Sequence, residues 1–317
     1  MTITELKKSN LKELTKLWNK EAGRMYPMRE ELFRQNSFED ANVYFPGSLV
    51  AWNDEGRPIG FIISKIWQEK MNVPMNAESG WIQALLVDSD YRNQGIGSGL
   101  LTRAEAALKR KGVTKISLCG DPWHYFPGLP KEFERQCTWF KKRGYAEVVT
   151  TFDLMAEYPG NEENQLPACE GVEFALLQEC EKESLISFLH RVFPGRWEYE
   201  ALKYFEKGGT GREFAVLKKN GIIIGFCRIN DGHSPFIAQN VYWAPLFDEP
   251  LGGIGPLGVD PKERGKGYGL AIVEAGVYFL RNRGIKRIVI DWTTFVDFYG
   301  RLGFEVWKEY KALSKEV

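Results

Sequence analysis

The sequence predicts two α/β domains in tandem, and three observations predict them. A short strand, a glycine-rich loop and a helix follow one another over residues 84–101 and again over 255–277. The two copies keep register at an offset of 172 residues: Arg92 falls on Arg264, Gly95 on Gly267, Gly97 on Gly269, Val87-Asp88 on Val259-Asp260, Gly112 on Gly284 and Lys115-Ile116 on Arg287-Ile288. A repeat that carries strand, loop, helix, turn and following strand together is domain-sized. The length, 317 residues, suits about two domains.

The first half opens with a strand at 3–6, then Asn10 in N-cap position before a helix whose apolar residues Leu11, Leu14, Leu17 and Trp18 recur near helical period. A second helix is expected over 30–35. Residues 48–52 form a strand, Asn53-Asp54-Glu55-Gly56 supplies turn chemistry, and 58–65 pairs back as a hairpin. The strand 81–87 feeds the glycine loop, the helix 98–111 ends at Gly112, and 115–118 returns as a parallel strand. In the second half 172–177 is a strand, 179–192 a helix with Leu185, Phe188, Leu189 and Val192 on one face, and 198–207 a second helix after the break at Pro194-Gly195. Asn220-Gly221 turns a hairpin between 214–217 and 222–228. Strand 286–291, closing helix 294–302 and last strand 304–310 complete it. The polar, Pro- and Gly-punctuated segment 158–167 reads as a linker, giving domains 1–158 and 169–317.

The halves are not identical. Phe140 to Tyr299 and Gly144 to Gly303 differ by 159, so the first half carries 13 more residues, around the aromatic and proline-broken segment 121–130. That segment either packs over the sheet or lines a pocket. The second half has seven extra residues near Asn240-Val241-Tyr242-Trp243-Ala244-Pro245, judged from the offset of 165 between Gly60-Phe61 and Gly225-Phe226.

Composition bounds the function. Lysine plus arginine equals aspartate plus glutamate, 42 each, so no global field points to nucleic acid or an anionic membrane. The N-terminal residues 1–8 lack an apolar leader core and no apolar run is long enough to span a bilayer, so a cytoplasmic protein is expected. Cys119, Cys137, Cys169, Cys180 and Cys227 are odd in number and form no C-x-x-C, which favours buried reduced thiols over a disulfide framework or zinc site. His124, His190 and His233 have no metal-ligand spacing, so no metal is expected, and His233 after Asp231-Gly232 reads as a turn residue.

The loops carry the chemistry. Glycines before a helix let consecutive backbone N–H groups approach an anion at the positive end of the helix dipole, which suits a phosphate or pyrophosphate. Arg-x-x-Gly-x-Gly between strand and helix, with Phe298-Tyr299-Gly300-Arg301-Leu302-Gly303-Phe304 near the end, resembles the acetyl-CoA-dependent GNAT N-acetyltransferase superfamily. The resemblance covers both halves and is stronger in the second. It implies two domains, each a mixed, mostly antiparallel sheet flanked by helices. It places the CoA pyrophosphate on Arg264, Gly265, Lys266, Gly267, Tyr268 and Gly269, and by repeat on Arg92, Asn93, Gln94, Gly95, Ile96 and Gly97. The pantetheine arm is expected to pair like an extra strand with Leu257, Gly258 and Val259, and by repeat with Leu85, Leu86 and Val87. Pro256 has no N–H to give a ladder, which fits a strand that parts from its neighbour there, or an ordinary bulge.

The resemblance implies N-acetyltransfer from acetyl-CoA directly to a small-molecule or peptide amine. A mycothiol-synthase-like acyltransferase acting on an amino sugar, a longer acyl donor, and a non-catalytic CoA-binding sensor or scaffold are the alternatives. Tyr299 matches the family's general acid; its other reading is a core tyrosine. Phe140 stands in that place in the first half and has no proton to give, so the first half is expected to bind a nucleotide-like ligand and to be poor at this chemistry. Asp291, ending its strand, is the candidate base, with a helix N-cap as the other reading. Arg196, Trp197 and Glu198 lie at the helix break that shapes the acceptor pocket in such proteins, and surface or core roles stay equally open for them.

Overall fold

The computed structural model describes residues 1–160 and 163–317. Strand β1 (Thr2–Glu5) leads to α1 (Leu11–Glu21), which buries Leu11, Leu14, Leu17 and Trp18 as a single apolar stripe. Asn10 precedes α1, but its Oδ1 accepts from the Lys7 N–H (2.9 Å) and closes the turn before the helix rather than capping it. Then follow α2 (Glu30–Ser37), β2 (Leu49–Trp52), β3 (Pro58–Ile66), β4 (Ser79–Val87), α3 (Ile96–Arg110), β5 (Lys115–Leu118), the short β6 (Leu129–Pro130), α4 (Glu134–Lys141) and β7 (Ala146–Glu157). The inserted segment 121–130 packs. Trp123, Tyr125 and Phe126 are buried, with Phe126 edge-on to Tyr26 (4.8 Å) and Tyr125 edge-on to Trp18 (5.0 Å).

The second half runs β8 (Glu173–Leu176), α5 (Lys182–Val192), α6 (Arg196–Glu206), β9 (Phe214–Lys219), β10 (Ile222–Asn230), β11 (Leu251–Val259), α7 (Tyr268–Arg281), β12 (Arg287–Thr293), α8 (Val296–Gly300) and β13 (Glu305–Glu316). Two helices are shorter than periodicity predicts. Residues 179–181 form a tight turn, in which the Glu181 carboxylate accepts from the Gln178 N–H (2.9 Å), and α5 starts only afterwards. Thr293 Oγ1 accepts from the Phe295 N–H (3.0 Å), so α8 starts late as well.

These elements make two compact units: residues 1–71, 75–151 and 309–317 in one, residues 72–74 and 152–308 in the other. In the first unit the strands run β1-β2-β3-β4-β5-β13, and in the second β7-β12-β11-β10-β9-β8. All pairs along these two runs are antiparallel except β4 with β5 and β11 with β12. Each unit therefore takes its closing strand from the other half of the sequence. The end of β13 lies on β5 (Leu313 facing Leu118), and the end of β7 lies on β12 (Leu154 facing Ile290). The spans 1–158 and 169–317 follow the repeat; the compact units follow the sheets, because an internal repeat records what was duplicated and not which strand completes which sheet. Within the expected linker, Asn161 and Glu162 lie outside the described residues.

Helices cover both faces of each sheet. In the second unit α7 lies against Cys227, Ile229 and Ile254, where Gly276 gives the backbone room. Phe226, on the opposite face of β10, meets Phe188, Phe193 and Trp197. In the first unit Ile62 joins the core under α3, and Phe61 faces Phe33 of α2 (5.8 Å). All five cysteines are free; Cys119, Cys137 and Cys227 are buried as expected, while Cys169 is half-buried and Cys180 exposed. No helix among the described residues is long and apolar enough to cross a membrane.

Candidate active site

Strand β11 pairs with β12 only from Leu251 to Ile254. Its antiparallel register with β10 shifts between Cys227 and Ile229, opposite Gly255-Pro256, and resumes at Leu257–Val259. The edge of Leu257, Gly258 and Val259 that faces β12 has no strand on it among the described residues, and Pro256 stands where the bulge and the parting coincide. The first unit repeats the parting: β4 pairs with β5 only from Ser79 to Ile82, leaving Leu85, Leu86 and Val87 on β3 alone.

Asp291 is the first β12 residue past that ladder. Asn240 Nδ2 donates to Asp291 Oδ1 (3.2 Å) and to the Gly255 carbonyl (3.4 Å), and Asn240 Oδ1 accepts from Asn230 Nδ2 (3.2 Å). Gly253 makes this possible, since a Cβ there would stand 2.1 Å from Asn240 Oδ1. Burial first, and then the neighbouring Asp153 carboxylate, push the Asp291 carboxyl up to about 7, with Arg196 acting the other way. A carboxyl near neutrality can be populated in both protonation states around pH 7. The helix-cap reading of Asp291 is set aside, because Thr293 supplies the hydrogen bond at the start of α8.

Trp292 follows at φ +48°, a conformation rare for a side chain with a Cβ, and its N–H donates to Asp153 Oδ1 (3.1 Å). The Arg196 guanidinium lies 4.2 Å from the Trp292 ring, and its Nε donates to Glu200 Oε1 (2.7 Å). Of the helix-break residues, then, Arg196 joins the site. Trp197 packs on Phe193 and Phe226, and the Glu198 carboxylate accepts from His190 Nδ1 at 2.7 Å. His233 is a turn residue, its N–H donating to Asp231 Oδ1 (2.8 Å).

Tyr299 is buried on α8, edge-on to Phe298 (4.9 Å), with Thr293 as hydrogen-bond partner. Burial holds its hydroxyl well above the usual tyrosine range, and Cys227 and Asp291 add to this. Asp291 and Tyr299 thus share one electrostatic environment at the mouth of the parted strands.

The two glycine loops are alike in backbone. Asp88 and Asp260 accept from Asp90 and Lys262 N–H groups (3.0 Å each), and Gly95 and Gly267 take φ of +82° and +81° where α3 and α7 begin. The N–H groups of Gly265, Lys266 and Gly267 make no hydrogen bond among the described residues. Gly269 and Gly97 stand beside Phe298 and Trp139 at the helix starts. Tyr268 and Ile96 turn their side chains into the two cores, so those positions offer backbone only. Asn93 has φ +62°, and Gln94 is exposed. The loops differ in charge. Arg264 donates Nε to the Val259 carbonyl (3.2 Å) and has no acidic partner among the described residues. Arg92 makes the same bond to Val87 (3.1 Å), but its guanidinium also pairs with Glu21, which in turn accepts from the Ser89 N–H and hydroxyl (2.9 Å each).

The model of the Acetyltransferase (GNAT) family matches residues 9–125 and 182–304. The chain belongs to this family. A mycothiol acetyltransferase from Thermobispora bispora is 32% identical over 123 residues, a match covering 36% of this chain and only 37% of that protein. The glucosamine N-acetyltransferase region of a fungal multi-domain GH3 β-N-acetylglucosaminidase superposes at TM-score 0.87 and 24% identity, covering 99% of this chain and 38% of that one. A tandem GNAT protein from the clavulanic acid biosynthesis pathway gives TM-score 0.69 at 14% identity, covering 99% of this chain and 98% of that one. The structural likenesses speak to the fold: two GNAT domains in tandem.

The first GNAT unit has neither an aspartate nor a tyrosine at the positions that correspond to Asp291 and Tyr299. Phe140 replaces the tyrosine, and the offset of 172 puts Cys119 in place of Asp291. The space is filled. Gln83, at the position of Gly255, donates to the Trp123 carbonyl (2.8 Å) and accepts from Ser37 (3.0 Å), and buried Lys65 pairs with Asp40 (2.8 Å) and Asp121 (2.5 Å). Tyr125 is sealed in this core with its hydroxyl on Ser37 (2.5 Å). No group of three or more His, Cys, Asp or Glu among the described residues is arranged to hold a metal ion.

The site also holds residues that the sequence did not single out. Asn240 falls in the seven-residue expansion, and Glu200 stands one helical turn from Arg196. Arg228 and Asn230 are the polar residues in an otherwise apolar strand, which is the signal that would have found them.

Proposed function

We propose that the second unit transfers an acetyl group from acetyl-CoA directly to a primary amine, with Asp291 as base and Tyr299 as the group facing the departing sulfur. The observation that carries this is the Asp291 carboxyl, raised to about 7 and held by Asn240 at the point where β11 and β12 part. The residues fit the donor. The free edge of Leu257, Gly258 and Val259 offers strand-like hydrogen bonds to an amide-bearing arm, and the unpaired N–H groups of Gly265, Lys266 and Gly267 with the Arg264 cation suit a pyrophosphate. Acetyl-CoA, when bound, supplies the acyl group as a thioester.

An amine with a pKa near 10 is mostly an ammonium at neutral pH and attacks only after losing a proton. Ionised Asp291 takes that proton. Tyr299 enters each cycle protonated because burial raises its hydroxyl. The same shift makes full transfer to a thiolate uphill, so the hydroxyl acts chiefly as a hydrogen-bond donor to sulfur as charge develops there. The first unit, without either group, serves at most to bind CoA. The solved neighbour named for glucosamine and the relative named for mycothiol support an acetyltransferase reading; small-molecule and peptide amines both remain candidate acceptors. Free-thiol release from acetyl-CoA across an amine panel, repeated with Asp291→Asn, tests the proposal. CoA binding without thiol release for any amine would make the protein a sensor instead.

A further inference from the structure

Arg228 interrupts the apolar run of β10 and is 1% exposed. Its guanidinium lies 4.6 Å from the Phe236 ring centroid, and Nη1 stands 3.8 Å from Glu200 Oε2. Nε and Nη2 find no hydrogen-bond partner among the described residues. Two residues on, and so on the same face of the strand, Asn230 is fully buried with its Oδ1 likewise unpartnered.

The orientation of that amide follows from its neighbours. The Gly255 carbonyl only accepts, so Asn240 must turn its NH2 toward Gly255 and Asp291. Its oxygen then faces Asn230 and accepts the Asn230 NH2, leaving the Asn230 oxygen over. The groups without partners are therefore two donors and one acceptor. Leaving such groups buried and unmatched forfeits the hydrogen bonds that they make with water in the unfolded chain. A carboxylate or phosphate would satisfy Arg228 and be repelled by the Asn230 oxygen. An ammonium would satisfy Asn230 and be repelled by Arg228. A hydroxyl donates one hydrogen bond and accepts two, so it matches both.

We infer that Arg228 and Asn230 recognise a hydroxyl group of the acceptor, which is therefore a hydroxylated amine of the amino-sugar class rather than a peptide or an anionic amine. This rests on the reading of the second unit as the acetyl-transfer site. The recognising pair is wired to the chemistry, since Asn230, Asn240 and Asp291 form one hydrogen-bonded chain. The Phe236 and Tyr204 rings lie near the guanidinium, at 4.6 Å and 5.8 Å from its carbon.

The test uses the full chain with acetyl-CoA and three kinds of amine: D-glucosamine, D-galactosamine and serinol as hydroxylated amines, cyclohexylamine as a ring without hydroxyls, and an alanyl dipeptide. Thiol release gives kcat/KM, and calorimetry of the same amines gives binding without turnover. At least one hydroxylated amine should exceed cyclohexylamine and the dipeptide by about tenfold or more, and Arg228→Lys should lower that ratio by about tenfold, the worth of a hydrogen bond to a charged donor. Equal or better use of cyclohexylamine or the dipeptide by the unaltered protein overturns the inference, whether or not the variant folds. Absence of binding and turnover for all hydroxylated amines overturns it too. Arg228-dependent binding of a hydroxylated amine with no thiol release from any amine upholds the recognition and overturns only the transfer reading.

Discussion

Asn240 donates to Asp291 Oδ1 at 3.2 Å across the gap where two strands separate, and this contact orients a carboxyl whose surroundings raise it to about 7. A base must be ionised to work, so kcat/KM for an amine should climb as pH rises through about 7 and level off above it. Asp291→Asn should remove that limb and lower kcat by about a hundredfold to ten-thousandfold. A pH–rate profile of both proteins checks this, and an unchanged limb in the variant would point to another base.

The same shift bears on stability. The folded-state carboxyl titrates above its unfolded value of about 3.9, so between there and about 7 the folded chain holds a proton that the unfolded chain has lost. Stability from this group is full at the acid end and falls as pH rises through that window. Asp291→Asn should therefore melt higher than the parent at pH about 8 and lose its advantage near pH about 4. Thermal unfolding at the two pH values decides; a variant less stable at the alkaline end would contradict the assigned shift.

Removing the Tyr299 hydroxyl leaves the ring to pack against Phe298 and Phe304. Tyr299→Phe should fold, bind acetyl-CoA with little change and lose about a hundredfold or more in kcat, since the donor is needed only as the sulfur leaves. Phe140→Tyr should add nothing, because Gln83, Lys65 and Asp121 occupy the corresponding space. Steady-state kinetics with a donor-binding isotherm separates these effects. Near-normal turnover in Tyr299→Phe would move the chemistry elsewhere.

Glu21 pairs with Arg92, while Arg264 has no such partner among the described residues. Both loops are proposed CoA sites, and the second should be the tighter. Calorimetry should show a strong site abolished by Gly267→Glu and a weaker one, abolished by Gly95→Glu, that Glu21→Gln strengthens. A single site per chain, indifferent to every change in the first loop, would rule the first one out.

Leu313 is buried in the first unit although it stands a few residues from the end of the sequence. Leu313→Ala should destabilise that unit by about 2–5 kcal/mol, and Leu154→Ala should do the same to the second. Hydrogen exchange resolved by unit would show it. Matching losses in the sequence-adjacent halves instead would refute the exchange of closing strands.

Much of this was legible beforehand, for physical reasons. Helices α1 and α5 show their apolar stripes, Asn220-Gly221 takes the left-handed backbone its hairpin needs, and Gly95 and Gly267 sit at positive φ where the helices start. Tyr299 and Asp291 were readable as candidates because each ends a local pattern. Asn240 and Glu200 were not, since nothing local ties a loop and a helix that the fold brings together; Arg228 and Asn230 stand out as polar residues in an apolar strand, but nothing local ties them to Asp291. The strand exchange was hidden for a related reason: β7 and β13 alternate much as any strand does, and register with a distant partner leaves no trace in periodicity.

That exchange has a consequence for how the protein is made. Chains emerge from the ribosome N-terminus first, and domains commonly fold in that order. Here the unit that begins at Met1 needs residues 309–317 to finish its sheet, whereas the other unit has every residue it uses once Lys308 has appeared. Of the two units, the one whose residues emerge earlier is thus the later to be completed. Until residues 309–317 have emerged, Leu118 and its neighbours on β5 present an unpaired strand edge to whatever else is in reach, so a nascent chain stalled before Glu309 is a natural client for chaperones and an early target for proteolysis.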